Sequence, residues 1–338
     1  MDKACELFHC KYANVQPHSG SQANAAAYKA LMPNGGKVLA LGLNEGGHLT
    51  HGSPVSFSSH LYDFIFYSLG PDGRIDYDKL RDQAKKERPN VILAGFSAYP
   101  YTIDWKIFKN IADEIDSYLM VDMAHTAGLI AAGEYSSGNP CDYADIVTST
   151  THKTLRGPRG GLILTNAPDL SRKINSAVFP YYQGGPLENI IAAKGICFEE
   201  ALQPEFKSYI KRVIENTKTC MRRLESLGAK TSDTDTHLFL MDTLNSYKLT
   251  GLQAQQQLES VGIITNKNML PNDTLTPKDT SGLRIGFAAA TTRGCTKDDA
   301  ERIGVLIASC LLGLDVSRDE IQQITSRWKS IDNLPSTL

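Results

Sequence analysis

The sequence predicts an α/β fold: a mostly parallel sheet with helices on both faces, followed by a smaller α+β domain. Strand-like apolar runs alternate with helix-like stretches over the first two-thirds of the chain, the pattern of successive βαβ units. The runs KVLALGL (residues 37–43), VILAGFS (91–97) and YLMVD (118–122) are continuously apolar, as in strands covered on both faces. The pattern changes at Pro204, and 338 residues exceed one domain of ~100–200. A large domain over residues 1–203 and a small one over 204–338 follow from these observations.

Between the strands, residues 76–87 read as a helix closed by Pro89, and residues 105–117 as another. DIVTST (145–150) and GGLILT (160–165) continue the sheet. Beyond Pro204, the apolar positions Phe206, Tyr209, Val213, Thr217, Cys220 and Leu224 share one helical face, and Gly228 is a suitable stop. HLFLMD (237–242) and SGLRIGFA (281–288) read as strands, residues 252–261 and 297–314 as helices. Residues 318–338 are polar and predict a short helix with a frayed tail.

Bulk properties exclude several classes of function. Hydrophobic residues make up 41% and charged residues 21%, the balance of a globular protein with a sizeable core. The net charge of −2 and the lack of a basic stripe argue against a nucleic-acid partner. Seven cysteines at irregular spacings, without a C-x-x-C pair, suggest reduced thiols rather than a disulfide framework or a zinc site, so no metal is expected. The most apolar segment (305–314) is about ten residues long and a membrane span needs about 20, so no membrane association is expected. Asp2, Lys3 and Glu6 do not fit a secretory leader. A cytoplasmic location is the expectation.

Chemistry concentrates in three places. In TSTTHKTLRGPRGG (148–161), Lys153 follows a strand and has Arg156 and Arg159 nearby to lower its pKa, as an imine-forming lysine requires. Asp122 ends an apolar strand, where a carboxylate needs a partner; it could pair with a protonated pyridine nitrogen. Ser19, Gly20 and Ser21 precede a helical stretch, where exposed backbone N–H groups and the helix dipole suit a phosphate. Alone, each has an ordinary explanation: a turn lysine, a capping aspartate, a serine-capped helix. Together they are the three anchors of pyridoxal phosphate (PLP).

The motifs ANVQPHSGSQAN (13–24), GGHLTHGSPV (46–55), GFSAYP (95–100), VDMAHTAGLIAAG (121–133), TTHKTLRGPRGG (150–161), QGGPLE (183–188) and SGLRIG (281–286) resemble the serine hydroxymethyltransferase family. The resemblance runs over nearly the whole chain. It implies the fold-type-I PLP transferase architecture with a seven-stranded-type sheet, and interconversion of serine and glycine with transfer of the one-carbon unit to tetrahydrofolate. It further implies that Lys153 carries the cofactor as an imine, that His48 stacks on its ring, and that Asp122 meets its pyridine nitrogen. Ser97 and His125 would contact the phenolic oxygen or the substrate carboxylate, and Thr150 would assist exchange at Lys153. Ser19, Gly20, Ser21 and His152 would hold the phosphate, with Gly185 reaching a neighbouring subunit's phosphate in a homodimer or tetramer. Arg284 would bind the amino-acid carboxylate, and Leu43, Leu49 and Asn268 would line the folate region. By contrast, His51 and His237 are expected to be structural, and His9 and His60 solvated.

The resemblance also sets expectations about departures. The family's N-terminal arm has no match here, which implies either a fragment or a natural short form, the latter having lost the folate reaction or borrowing the arm from a partner chain. Glu45 replaces a usual histidine, Phe287 and Ala288 replace Thr-Pro, Tyr181 and Tyr182 precede QGGP where a glycine is usual, and Asn189 replaces a common histidine. Phe287, close to Arg284, is expected to reshape a substrate pocket and weaken folate use. Two alternatives therefore stand beside the family reaction: a folate-independent aldolase or transaldolase on another β-hydroxy amino acid, and a non-catalytic subunit of the same fold.

Overall fold

A computed structural model describes residues 1–329. It divides into two units: residues Met1–Ser97 with Thr102–Lys207, and Ala98–Tyr101 with the chain from Ser208 onward.

Seven strands form the sheet of the first unit: β1 (Tyr12–Asn14), β2 (Lys37–Leu41), β3 (Asp63–Tyr67), β4 (Val91–Ala94), β5 (Tyr118–Asp122), β6 (Ile146–Thr150) and β7 (Gly161–Thr165). Their order is β1-β7-β6-β5-β4-β2-β3. Strands β2 to β6 pair in parallel, and β7 is antiparallel to both β6 and β1. The order turns back between β2 and β4, because β3 pairs on the far side of β2 before the chain returns. In open α/β sheets, ligands gather beside such a reversal, at the carboxyl ends of the strands.

The apolar runs explain the central strands. Leu39, Leu41, Ile92 and Leu93 are fully buried, each contributing about 1.5–3 kcal/mol of burial free energy. The unit's helices are α1 (Asp2–Phe8), α2 (Gly20–Leu31), α3 (Phe57–Leu61), α4 (Tyr77–Glu87), α5 (Trp105–Glu114), α6 (Ala127–Ala131), α7 (Pro168–Ser176) and α8 (Glu188–Ala201). Side chains cap three of the longer ones: Ser19 accepts the Gln22 N–H, Asp76 that of Lys79 and Asp104 that of Ile107. The ends differ slightly from expectation, since VILAGFS leaves the sheet after Ala94 and the helix from Trp105 stops at Glu114. Helix α9 (Pro204–Ser226) starts at the expected proline and runs across the division between the units.

In the second unit, β8 (Lys230–Thr231), β9 (Leu238–Asp242), β10 (Asn266–Asn268) and β11 (Gly282–Gly286) form an antiparallel sheet ordered β10-β11-β9-β8. Helices α10 (Thr243–Tyr247), α11 (Gly251–Ser260), α12 (Ala288–Arg293), α13 (Lys297–Leu311) and α14 (Arg318–Thr325) complete it. Phe239, Met241, Leu258, Leu283 and Leu306 share its core. Phe287 lies in that core and is 3% exposed. The tail expected to fray lies, from residue 330, outside the described residues. Among the described residues, no helix is long and apolar enough to cross a membrane.

Candidate active site

The carboxyl ends of β2, β4, β5 and β6 deliver most of the residues singled out in the first unit. His48 follows β2, Ser97 follows β4, Asp122 ends β5 and Thr150 ends β6, with His152 and Lys153 just beyond.

Asp122 is the hub. One carboxylate oxygen accepts the Ala124 N–H at 3.0 Å; the other accepts the Asn24 amide at 2.9 Å and stands 3.2 Å from His51 Nε2. Burial by itself would raise the Asp122 pKa. The hydrogen bond and charge of His51, together with His48 and Lys153, outweigh burial and hold the carboxyl well below the usual carboxylate range. It is therefore a buried anion at neutral pH, ready for a cationic partner.

Backbone donors set the tautomers of both histidines. The His48 N–H donates to His51 Nδ1 at 3.3 Å, leaving the His51 proton on Nε2, which faces Asp122. The Thr50 N–H donates to His48 Nδ1 at 3.2 Å, so the neutral His48 ring carries its proton on Nε2. Asn24 orders the remainder. It accepts the Thr148 hydroxyl at 2.6 Å and donates to Thr50 Oγ1 at 2.8 Å, which leaves the Thr50 hydroxyl to donate to His48 Nδ1 at 2.8 Å. Burial pushes the His48 pKa down to about 4, Asp122 opposes the fall, and His51 and Lys153 reinforce it. His48 is thus a neutral ring at physiological pH. His48, His51 and Asp122 offer three ligand atoms within 4.8 Å of one another, a spacing a cation could also take.

Helix α2 begins against this cluster. A Cβ on Gly20 would come within 2.7 Å of the Thr150 methyl group. The Thr150 hydroxyl and His152 Nδ1 are buried without hydrogen-bond partners in the structure. His152 Nε2 lies 3.3 Å from Arg159 Nη1. Lys153 is half-buried, and its carbonyl accepts the Arg156 N–H at 3.0 Å. Arg156 faces Glu200 at 3.6 Å and lies over the Phe206 ring, so its charge is largely met elsewhere. Thr154 fastens the Lys153 loop to the segment after β5: its hydroxyl donates to the His125 carbonyl at 2.8 Å and accepts the Gly128 N–H at 3.0 Å. Ser97 is tied to the loop carrying His48 through its N–H to the Gly46 carbonyl, at 2.8 Å.

The remaining candidates are exposed or belong to the second unit. Ser21, Leu43, Leu49 and Gly185 are exposed. Glu45 accepts the Leu69 N–H at 2.6 Å, so the residue that departs from the family pattern anchors a loop. Arg284 on β11 and Asn268 on β10 belong to the second unit, where Arg284 pairs with Asn266. Asn24, Thr50 and Thr148 were not singled out from the sequence, and His51 was read as structural. One signal was available for Asn24: a polar residue on the face of α2 that also carries Ala27, Tyr28 and Leu31.

A parallel sheet that reverses beside a strand-end aspartate, a neutral histidine and a lysine loop is the architecture of a fold-type-I PLP enzyme. The serine hydroxymethyltransferase family profile matches residues 1–307. Serine hydroxymethyltransferase from Lacticaseibacillus casei (strain BL23) is 49% identical over 337 residues, covering 97% of this chain and 81% of its own length. The same enzyme from Levilactobacillus brevis is 49% identical over 336 residues, covering 96% and 80%. The chain belongs to the serine hydroxymethyltransferase family. Its chemistry is PLP-dependent interconversion of serine and glycine, with tetrahydrofolate as co-substrate for the one-carbon unit.

Proposed function

We propose that this reaction takes place at the carboxyl edge of the first sheet, with Lys153 as the residue that holds the cofactor. The observation that carries the reading is the buried anionic Asp122, held by Asn24 and His51 on a network shared with the neutral His48. The residues fit the cofactor in two further respects. Gly20 leaves open the space a Cβ would close, and the Thr150 hydroxyl and His152 Nδ1 are buried donors or acceptors awaiting a partner. Bound there, PLP supplies an electron sink for the pair released when a substrate bond at Cα breaks.

The chain's own residues have distinct parts in this reading. Asp122 meets the pyridine nitrogen and keeps its proton in place. His48 presents a neutral ring face. Ser19, Gly20, Ser21 and His152 receive the phosphate, since the first N–H groups of α2 lack intrahelical acceptors. Ser97 and His125 would hold the phenolic oxygen or the substrate carboxylate, and Thr150, near Lys153 in the chain, would hold the incoming amine. Arg284 forms a bidentate pair with the amino-acid carboxylate. Leu43, Leu49 and Asn268 border the folate. The domain assignment is a cofactor-binding part over residues 1–203 and a smaller part over 204–338.

A homodimer, or a tetramer built from it, accompanies this proposal. Phe179, Tyr181 and Leu187 bracket Gly185 and are each about half exposed, at 53%, 55% and 47%, as expected of residues covered by a second copy. The seven cysteines are all free thiols, which suits the reducing cytoplasm. The test is borohydride reduction of the PLP-loaded chain followed by peptide mapping. Label on Lys153, with folate-dependent conversion of serine to glycine, is the expected result; label on a different lysine, or none, would overturn the assignment.

A further inference from the structure

Helix α8 buries Lys194, Cys197, Phe198 and Ala201 on one face, and Lys194 is only 1% exposed. An ammonium at such a position is costly unless partnered. Its Nζ donates to three backbone carbonyls: Val15 at 2.7 Å, Gly161 at 2.8 Å and Pro17 at 3.1 Å. Among the described residues it forms no ion pair, so a positive charge is held there by dipoles alone. Burial lowers its pKa to about 8, and no charged neighbour contributes to that shift.

The three carbonyls belong to segments that matter for the cofactor. Val15 and Pro17 follow β1 and lead into Ser19, the cap of α2. Gly161 opens β7 and donates its own N–H to the Pro17 carbonyl at 2.8 Å. On the other side, the Thr151 N–H donates to the Gly160 carbonyl at 3.1 Å, closing the loop that carries Lys153. A Cβ on Gly160 would come within 2.3 Å of Lys194 Cε, so the loop rests directly against the lysine stem. One ammonium thus fastens the approach to the phosphate cradle and the base of the Lys153 loop.

We propose that Lys194 is a positioning residue for the cofactor phosphate: it fixes residues 15–17 against β7 and supplies the uncompensated cation behind the segment on which the anion sits. This rests on the PLP reading above. Its signature is selective for the phosphate, because a charge behind the cradle acts on a dianion and not on the ring. Lys194→Met keeps the unbranched stem as far as Cε and removes both charge and donors; Lys194→Gln keeps a donor and removes the charge.

The experiment is a spectroscopic titration of the apo chain with PLP and, separately, with pyridoxal, which lacks the phosphate. Both variants are expected to bind PLP at least tenfold more weakly, with pyridoxal affinity within about twofold of wild type. Equal weakening of both ligands, or weakening of neither, would overturn the proposal while leaving the PLP reading intact. A wild-type chain that takes up no PLP would overturn both. Should Lys194→Met not fold, Lys194→Gln alone gives the same readout.

Discussion

The Nε2 of His51 lies 3.2 Å from the carboxylate of Asp122, and both side chains are almost wholly buried. His51 is therefore part of what keeps Asp122 ionised. Replacing Asp122 by Asn removes the buried anion and should lower kcat by at least about 10²-fold, the scale of a lost preorganised electrostatic contact. His51→Phe leaves the anion with less support and should weaken PLP binding by about tenfold, corresponding to about 1.4 kcal/mol. Stopped-flow kinetics and PLP titration of the two variants provide the check.

Asn24 should matter for stability as well as for the site. It is 1% exposed and bonds with Asp122, Thr50 and Thr148. Asn24→Leu preserves volume and strands three polar partners, each at about 1–3 kcal/mol. The expected result is a loss of several kcal/mol in denaturant unfolding, together with poor retention of PLP. A variant as stable as wild type would show that the network is dispensable.

The pH dependence of stability should carry the mark of His48. Its folded-state pKa is about 4 against an ordinary 6.5, so the unfolded chain takes up the proton first. Stability from this group is complete above pH 6.5 and is lost as the pH falls from there to about 4. Urea unfolding of the apo chain at intervals across that window should show the decline, and His48→Phe should flatten it.

Arg284→Lys replaces a planar fork by a point charge. Under the proposed role it should raise KM for serine by one to two orders of magnitude, the equivalent of about 1.5–3 kcal/mol for a charge-assisted hydrogen bond. PLP affinity should not change. Steady-state kinetics together with cofactor titration separate the two effects, and a fall in PLP affinity alone would count against a carboxylate contact.

The central strands were legible in the sequence because burial on both faces makes them continuously apolar, as in KVLAL and YLMVD. The edges were not. β1 has only three residues, and β3, DFIFY, leaves Phe66 44% exposed, so neither stands out as a buried run. At the site, Lys153, Asp122 and Ser19 could be found because an isolated lysine, carboxylate or capping serine at a strand or helix end invites a chemical explanation. Their supports were harder to see. Asn24 and Thr148 are ordinary polar residues whose importance depends on which strand lies beside which helix, and that is set by the tertiary fold. Lys194 did leave a trace: it stands three and four residues before Cys197 and Phe198, on the buried side of α8.

The bond between Thr148 and Asn24 joins residues 124 positions apart. During synthesis, β2, β4 and β5 can emerge and form while Asn24 still lacks this contact. The ring site is therefore completed only when β6 has left the ribosome and paired beside β5. Such distant closure is slow compared with helix formation, so competence to take up cofactor is a late event in the life of the nascent chain and reports that its central parallel strands, through β6, have assembled.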